Sequence, residues 1–200
     1  MTAILAPIAK ATKCLEAVET TVCDVYLYWL AVMATFQDMF SSDNDNSLSL
    51  PYDLISKIRS LVNARYQEMI DGPGKEIYLT GFFLNPRYIT SDILHHHERN
   101  PLGTRIVIRR PDVAQAGKNI NVESPLPPGP DDDLRKAIPC YAKVANYLGL
   151  LLKHAIPDAP PRLFKGLNTA KDIWKEFRCQ LAQYARMEHP FNKGCDDISS

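Results

Sequence analysis

The sequence predicts a mainly α protein, a helical bundle interrupted by a long irregular insert. Apolar residues recur at helical spacing through most of the chain. Residues 95–130 lose that periodicity and hold six prolines, and no succession of strand-like runs accompanies the helices. The organisation expected is residues 1–94 for two helices and a compact apolar segment, 95–130 for the insert, 131–192 for further helices of the same domain, and 193–200 for a frayed tail.

The first helical signal runs through Ile4, Ile8, Ala11, Leu15, Val18, Val22, Val25, Trp29, Val32, Phe36 and Met39, in unbroken steps of four and three. That spacing predicts one long helix. Thirty residues would extend about 45 Å, so its first half is expected to project or to dock on a partner. Toward its second half the apolar face widens with Leu27, Leu30 and Met33. An ordinary bundle helix and a dimerising coiled coil both fit the stripe. The turn formers of SSDNDNS then end the pattern.

Leu50-Pro51 opens a second helix with Pro at its start, and Leu54, Ile55, Ile58, Leu61, Val62, Tyr66, Met69 and Ile70 form its apolar stripe. Asp71-Gly72-Pro73-Gly74 ends it. Next comes YLTGFFLNPRYITSDIL, residues 78–94, too apolar at first for a surface loop and stopped near Asn85 by Pro86. Its Tyr, Thr and Phe content suits a strand, while the pairs 78/82 and 79/83 share a helix face, and we favour helix.

The insert reads as irregular, with only Arg105–Arg109 suited to a short strand. Between residues 87 and 110 five arginines (87, 99, 105, 109, 110) stand against two acids (92, 98). This modest cluster makes Arg87, Arg105, Arg109 and Arg110 the candidate DNA contacts, because Arg neutralises phosphate. A solvated loop is the plainer reading, since no aromatics interleave for base stacking. His95, His96 and His97 are adjacent rather than spaced as metal ligands, and Cys179, His189 and Cys195 match no ligand pattern. No metal site and no cofactor are assigned.

Asp131-Asp132-Asp133 reads as a solvated helix start. Leu134, Ile138, Tyr141, Val144, Ala145, Leu148, Leu151 and Leu152 continue a helical face in which Pro139 marks either a kink or a second start. After PDAPPR, Thr169 and Asp172 resemble a capping box, and Ile173, Trp174, Phe177, Leu181 and Tyr184 predict the buried stripe of a last helix stopped by Pro190.

Two hundred residues at 46% hydrophobic content suit one domain with a real core. Twenty-three basic and 23 acidic residues leave no net charge, so any nucleic-acid contact has to be local. Five cysteines without a CxxC pair or signal peptide read as reduced intracellular thiols. No run is apolar for about 18 residues, so no membrane span is expected.

Against this background FFLNPRY, residues 82–88, resembles the Leu-Asp-Pro-Arg-Tyr/Phe signature in the C-terminal half of hAT-superfamily transposases, especially degenerate fungal copies. Leu84, Pro86, Arg87 and Tyr88 match, as do Ser91-Asp92-Ile93-Leu94, while Asn85 stands where Asp is usual. Asp24-Val25-Tyr26 with Trp29-Leu30, and later Gln180-Leu181, Tyr184-Ala185 and Pro190-Phe191, are similar to segments of those proteins in the same order. The resemblance covers residues 10–192 except the middle loop.

It implies a ribonuclease-H-like parent that cuts DNA with metal ions held by an acidic triad, of which this chain matches only the helical region. No early Asp-bearing strands and no late Ser-Glu-Arg stretch occur here, so no catalytic residue is assigned. No GxSxG, P-loop or GxGxxG supports another enzyme class. The expectation is a truncated or domesticated transposase-like protein, nuclear, with DNA or a second copy as partner. The alternative is a cytoplasmic helical scaffold that binds protein through the Ile4–Met39 stripe.

Overall fold

A computed structural model describes residues 2–17, 19–41, 50–72, 74–94, 106–110, 131–164, 166–167 and 169–192. Among these the chain is mainly helical: α1 (Thr2–Leu15), α2 (Val22–Met39), α3 (Tyr52–Met69), α4 (Glu76–Phe83), α5 (Asp132–Ala137), α6 (Tyr141–Ala155) and α7 (Ala170–Ala185), with short 3-10 turns at Ile156–Asp158 and Pro161–Phe164 and no strand. It divides into two compact units, Met1–Phe82 with His96–Pro125, and Phe83–His95 with Leu126–Ser200. No helix of the described residues is long and apolar enough to cross a membrane.

In the first unit the expected long helix is two. α1 ends at Leu15, and α2 begins after Thr21, whose backbone is extended (φ −111°, ψ 170°). The Asp24 carboxylate accepts the Thr21 N–H at 2.8 Å and its hydroxyl at 2.6 Å, so the pair closes the new N-terminus. The stripe from Ile4 to Met39 is therefore not one face. Of its α2 residues Val32 and Phe36 are buried and Val22 is exposed, the buried face of α2 running instead through Tyr26, Leu30, Met33 and Phe36, whereas Leu5 and Ile8 of α1 are exposed.

The α3 stripe is also rotated from its expected setting. The buried residues are Arg59, Val62, Tyr66 and Ile70, while Leu54, Leu61 and Met69 are exposed. Pro51 sits just before the first helical residue, as its cap rather than inside it. Trp29 meets Tyr66 edge-on at 6.3 Å, and Tyr26 packs on Phe82 of α4 at 5.1 Å.

α4 is helical, as the 78/82 and 79/83 pairs favoured, and it ends at Phe83 ahead of Pro86. Residues 106–110 form no strand, contrary to the reading of Arg105–Arg109; Arg105 lies outside the described residues. Instead the Asn63 amide pairs with both backbone groups of Ile108, accepting its N–H at 2.8 Å and donating to its carbonyl at 3.1 Å. A side chain thus takes the place of a neighbouring strand, and Ile108 is buried.

In the second unit the core is Phe83, Ile89, Leu94, Leu134, Ile138, Tyr141 and Val144. Phe83 meets Tyr141 and Tyr184, each at 6.1 Å, and the Tyr184 hydroxyl donates to the Phe83 carbonyl at 3.4 Å, one of the acceptors left open at a helix end. Pro139 lies between α5 and α6 and marks a second start. The α7 capping box forms: Thr169 N–H donates to Asp172 Oδ2 at 3.1 Å, and Asp172 N–H donates to Thr169 Oγ1 at 3.1 Å. Trp174 is not in the core as its stripe predicted; it is 36% exposed and its ring covers Gly149 of α6.

Candidate functional site

The signature residues fold as a helix end followed by a tight turn. Asn85 Oδ1 accepts the Arg87 N–H at 3.0 Å, and the Asn85 carbonyl accepts Tyr88 N–H at 2.9 Å and Ile89 N–H at 3.3 Å. Asn supports this turn as Asp would, since either side chain offers the acceptor oxygen. Ser91 Oγ takes the Ile93 N–H at 3.2 Å, so the next turn is closed the same way. Ile89 and Leu94 anchor the segment in the core, while Leu84, Pro86 and Arg87 are exposed.

Arg87 belongs to the second unit, and Arg109 and Arg110 to the first. Arg109 is half-buried and Arg110 exposed. The backbone of Ile108 and Arg109 is held from two sides, because beside the Asn63–Ile108 pair the Arg109 N–H donates to Gln37 Oε1 at 2.6 Å. Two side-chain amides, from α2 and α3, thereby hold a non-helical basic strip in place.

A different arginine cluster, which the sequence did not reveal, lies in the second unit. Asp131 is entirely buried rather than a solvated cap. Its Oδ1 accepts from Arg178 of α7 and its Oδ2 from Arg135 of α5 at 3.2 Å. Burial first, and then the Asp131 charge, hold the Tyr141 phenol well above its usual range, while Arg135, Arg178 and Arg186 oppose that rise. Asp133 does behave as a surface residue. Its hydrogen bond from Arg186, 2.8 Å long, lowers its carboxyl below the usual carboxylate value. The signal that was readable is the i, i+4 spacing of Asp131 and Arg135; nothing local pointed to Arg178.

An apolar groove of about 300 Å³ opens between α1, α2 and α3, lined chiefly by Ile8, Leu15, Trp29, Val32 and Leu61. The exposed Leu61, out of place on a simple amphipathic helix, forms one of its walls. Arg65 at the edge is engaged by Glu68 at 2.6 Å.

Among the described residues no group of three or more His, Cys, Asp or Glu side chains is placed to hold a metal ion. His95, His96, His97 and Cys195 lie outside the described residues. No family model, curated protein or solved structure matches the chain.

Proposed function

We propose that this chain is the helical region of a hAT-like transposase, carrying no acidic triad of its own, whose retained role is contact with the nucleic-acid backbone. The ordered run of resembling segments supports the ancestry. The observation that carries the activity is the pair Arg109–Arg110, whose approach is held by Asn63 and Gln37 through the backbone of Ile108 and Arg109, so that this stretch of main chain need not be ordered on binding. Phosphate contact of this kind is sequence-independent and salt-sensitive. It suits a chain of zero net charge only if it is local, and the strip is local. On this reading the protein is nuclear. Single substitutions test it: Arg110→Ala should weaken binding of random duplex DNA severalfold, and an Arg110→Ala chain that binds as tightly as the parent would contradict the assignment.

The groove favours a second reading, a cytoplasmic scaffold that holds an apolar protein segment. Deleting residues 1–20 removes α1 and one groove wall. Self-association lost with that deletion would support the scaffold, and dimerisation that survives it would count against this reading.

A further inference from the structure

The polar cluster between α5 and α7 is unbalanced. Among the described residues Asp131 is its only acceptor carboxylate, and Arg135 and Arg178 both donate to it. The two arginine side chains are 16% and 14% exposed and the carboxylate is not exposed at all, so two nearly buried positive charges share one negative charge. Asp133 does not redress this, because it lies at the surface with Arg186 as its partner. Three further polar atoms, Arg135 Nη1, Arg178 Nε and the Tyr141 hydroxyl, are buried without a hydrogen-bond partner.

Buried charge is costly unless paired, and orphaned buried donors are rare enough in folded proteins that each calls for an ion or a water. Among the described residues the deficit has a sign: the cluster holds one more positive than negative charge, and every orphan can donate. Planar guanidiniums with a hydroxyl beside them match an oxyanion better than a halide, since several acceptor oxygens are needed at once. We propose that Arg135, Arg178 and Tyr141 form a binding site for one tetrahedral oxyanion of the phosphate class. Asp131 orients both guanidiniums, the phenol stays protonated and donates, and the anion links α5 to α7. The site shares no residue with the Arg109–Arg110 strip and does not depend on the transposase ancestry.

Thermal unfolding of the full chain in sodium phosphate, against sodium chloride at matched ionic strength and neutral pH, tests this. The melting temperature should rise with phosphate beyond the chloride curve, as ligand linkage requires. Tyr141→Phe keeps the ring and removes one donor, and should move the phosphate midpoint about tenfold higher. Arg135→Gln should abolish the response. Should Arg135→Gln fail to fold, broadening of the inorganic phosphate signal in phosphorus NMR, present with the parent and reduced with Tyr141→Phe, decides instead. A short duplex DNA in place of phosphate distinguishes the source: the same variant-sensitive shift would mean a backbone phosphate supplies the anion, and no shift would leave free phosphate as the ligand. Coincident phosphate and chloride curves for the parent chain, or a phosphate response untouched by Tyr141→Phe, would overturn the proposal.

Discussion

Asp131 and Arg178, 47 residues apart in sequence, meet inside the second unit, and the carboxylate in that pair has no exposure to solvent. Removing its charge would leave two nearly buried guanidiniums without a counterion. Asp131→Asn should therefore destabilise the protein by about 3–5 kcal/mol, measured as the shift of a urea midpoint. Asp133→Asn, which removes an exposed partner of Arg186, should change that midpoint little. Equal effects from the two substitutions would place Asp131 at the surface after all.

Asn63→Ala breaks both bonds to Ile108 and leaves a buried N–H and carbonyl unpaired. The cost should be about 2 kcal/mol, and exchange of the Ile108 amide with deuterium should accelerate strongly. Asn63→Asp keeps the acceptor but loses the donor, and should protect that amide in part. If Ile108 exchanges at the parent rate in Asn63→Ala, the strip is held by something other than this side chain.

At Gly149 the usual preference reverses. Ala in a helix interior is better than Gly by about 1 kcal/mol, but a Cβ here would stand 2.1 Å from Cη2 of Trp174. Gly149→Ala should push the indole off α6 and lower stability, with a change in Trp fluorescence. Paired with Trp174→Leu the same substitution should become neutral or stabilising, which a double-mutant cycle measures.

Cys140, Tyr66 and Tyr141 all favour their neutral forms in the fold. Burial pushes the Cys140 thiol from 9.0 up to about 12, and it drives both phenols well above their usual 10.0. A raised acid is stabilising in full below its unfolded value, so the Cys140 contribution holds up to about pH 9 and fades as the pH climbs toward 12. The tyrosine contributions begin to fade near pH 10. Stability should thus fall steadily above about pH 9, and Cys140→Ala should flatten the first part of that fall by up to about 1.4 kcal/mol per pH unit. An unchanged slope would mean that the thiol is open to solvent.

Local signals in the sequence were readable where one short pattern sufficed. The Thr169–Asp172 box, the stop before Pro86 and the break at Pro139 each follow from neighbouring residues alone. The Thr21–Asp24 box has the same form and was masked by apolar spacing that continues across it. Helical periodicity reports which residues share a face but not whether the chain has folded back between them. Arg59 and Asp131 were illegible for a different reason: a charged residue is assigned to solvent unless its partner is known, and the partner of Asp131 comes from α7. The 106–110 strip was misread because its hydrogen bonds go to side-chain amides instead of a second strand.

Contact with the nucleic-acid backbone is tested by a gel shift of random duplex DNA over a range of salt, with light scattering during size exclusion on the same purified chain. Retardation should weaken steeply as salt rises and disappear when Arg105, Arg109 and Arg110 are all replaced by Ala. No retardation even at low salt, together with a clean dimer or larger species, would contradict the nucleic-acid role and leave the groove of α1, α2 and α3 as the working surface.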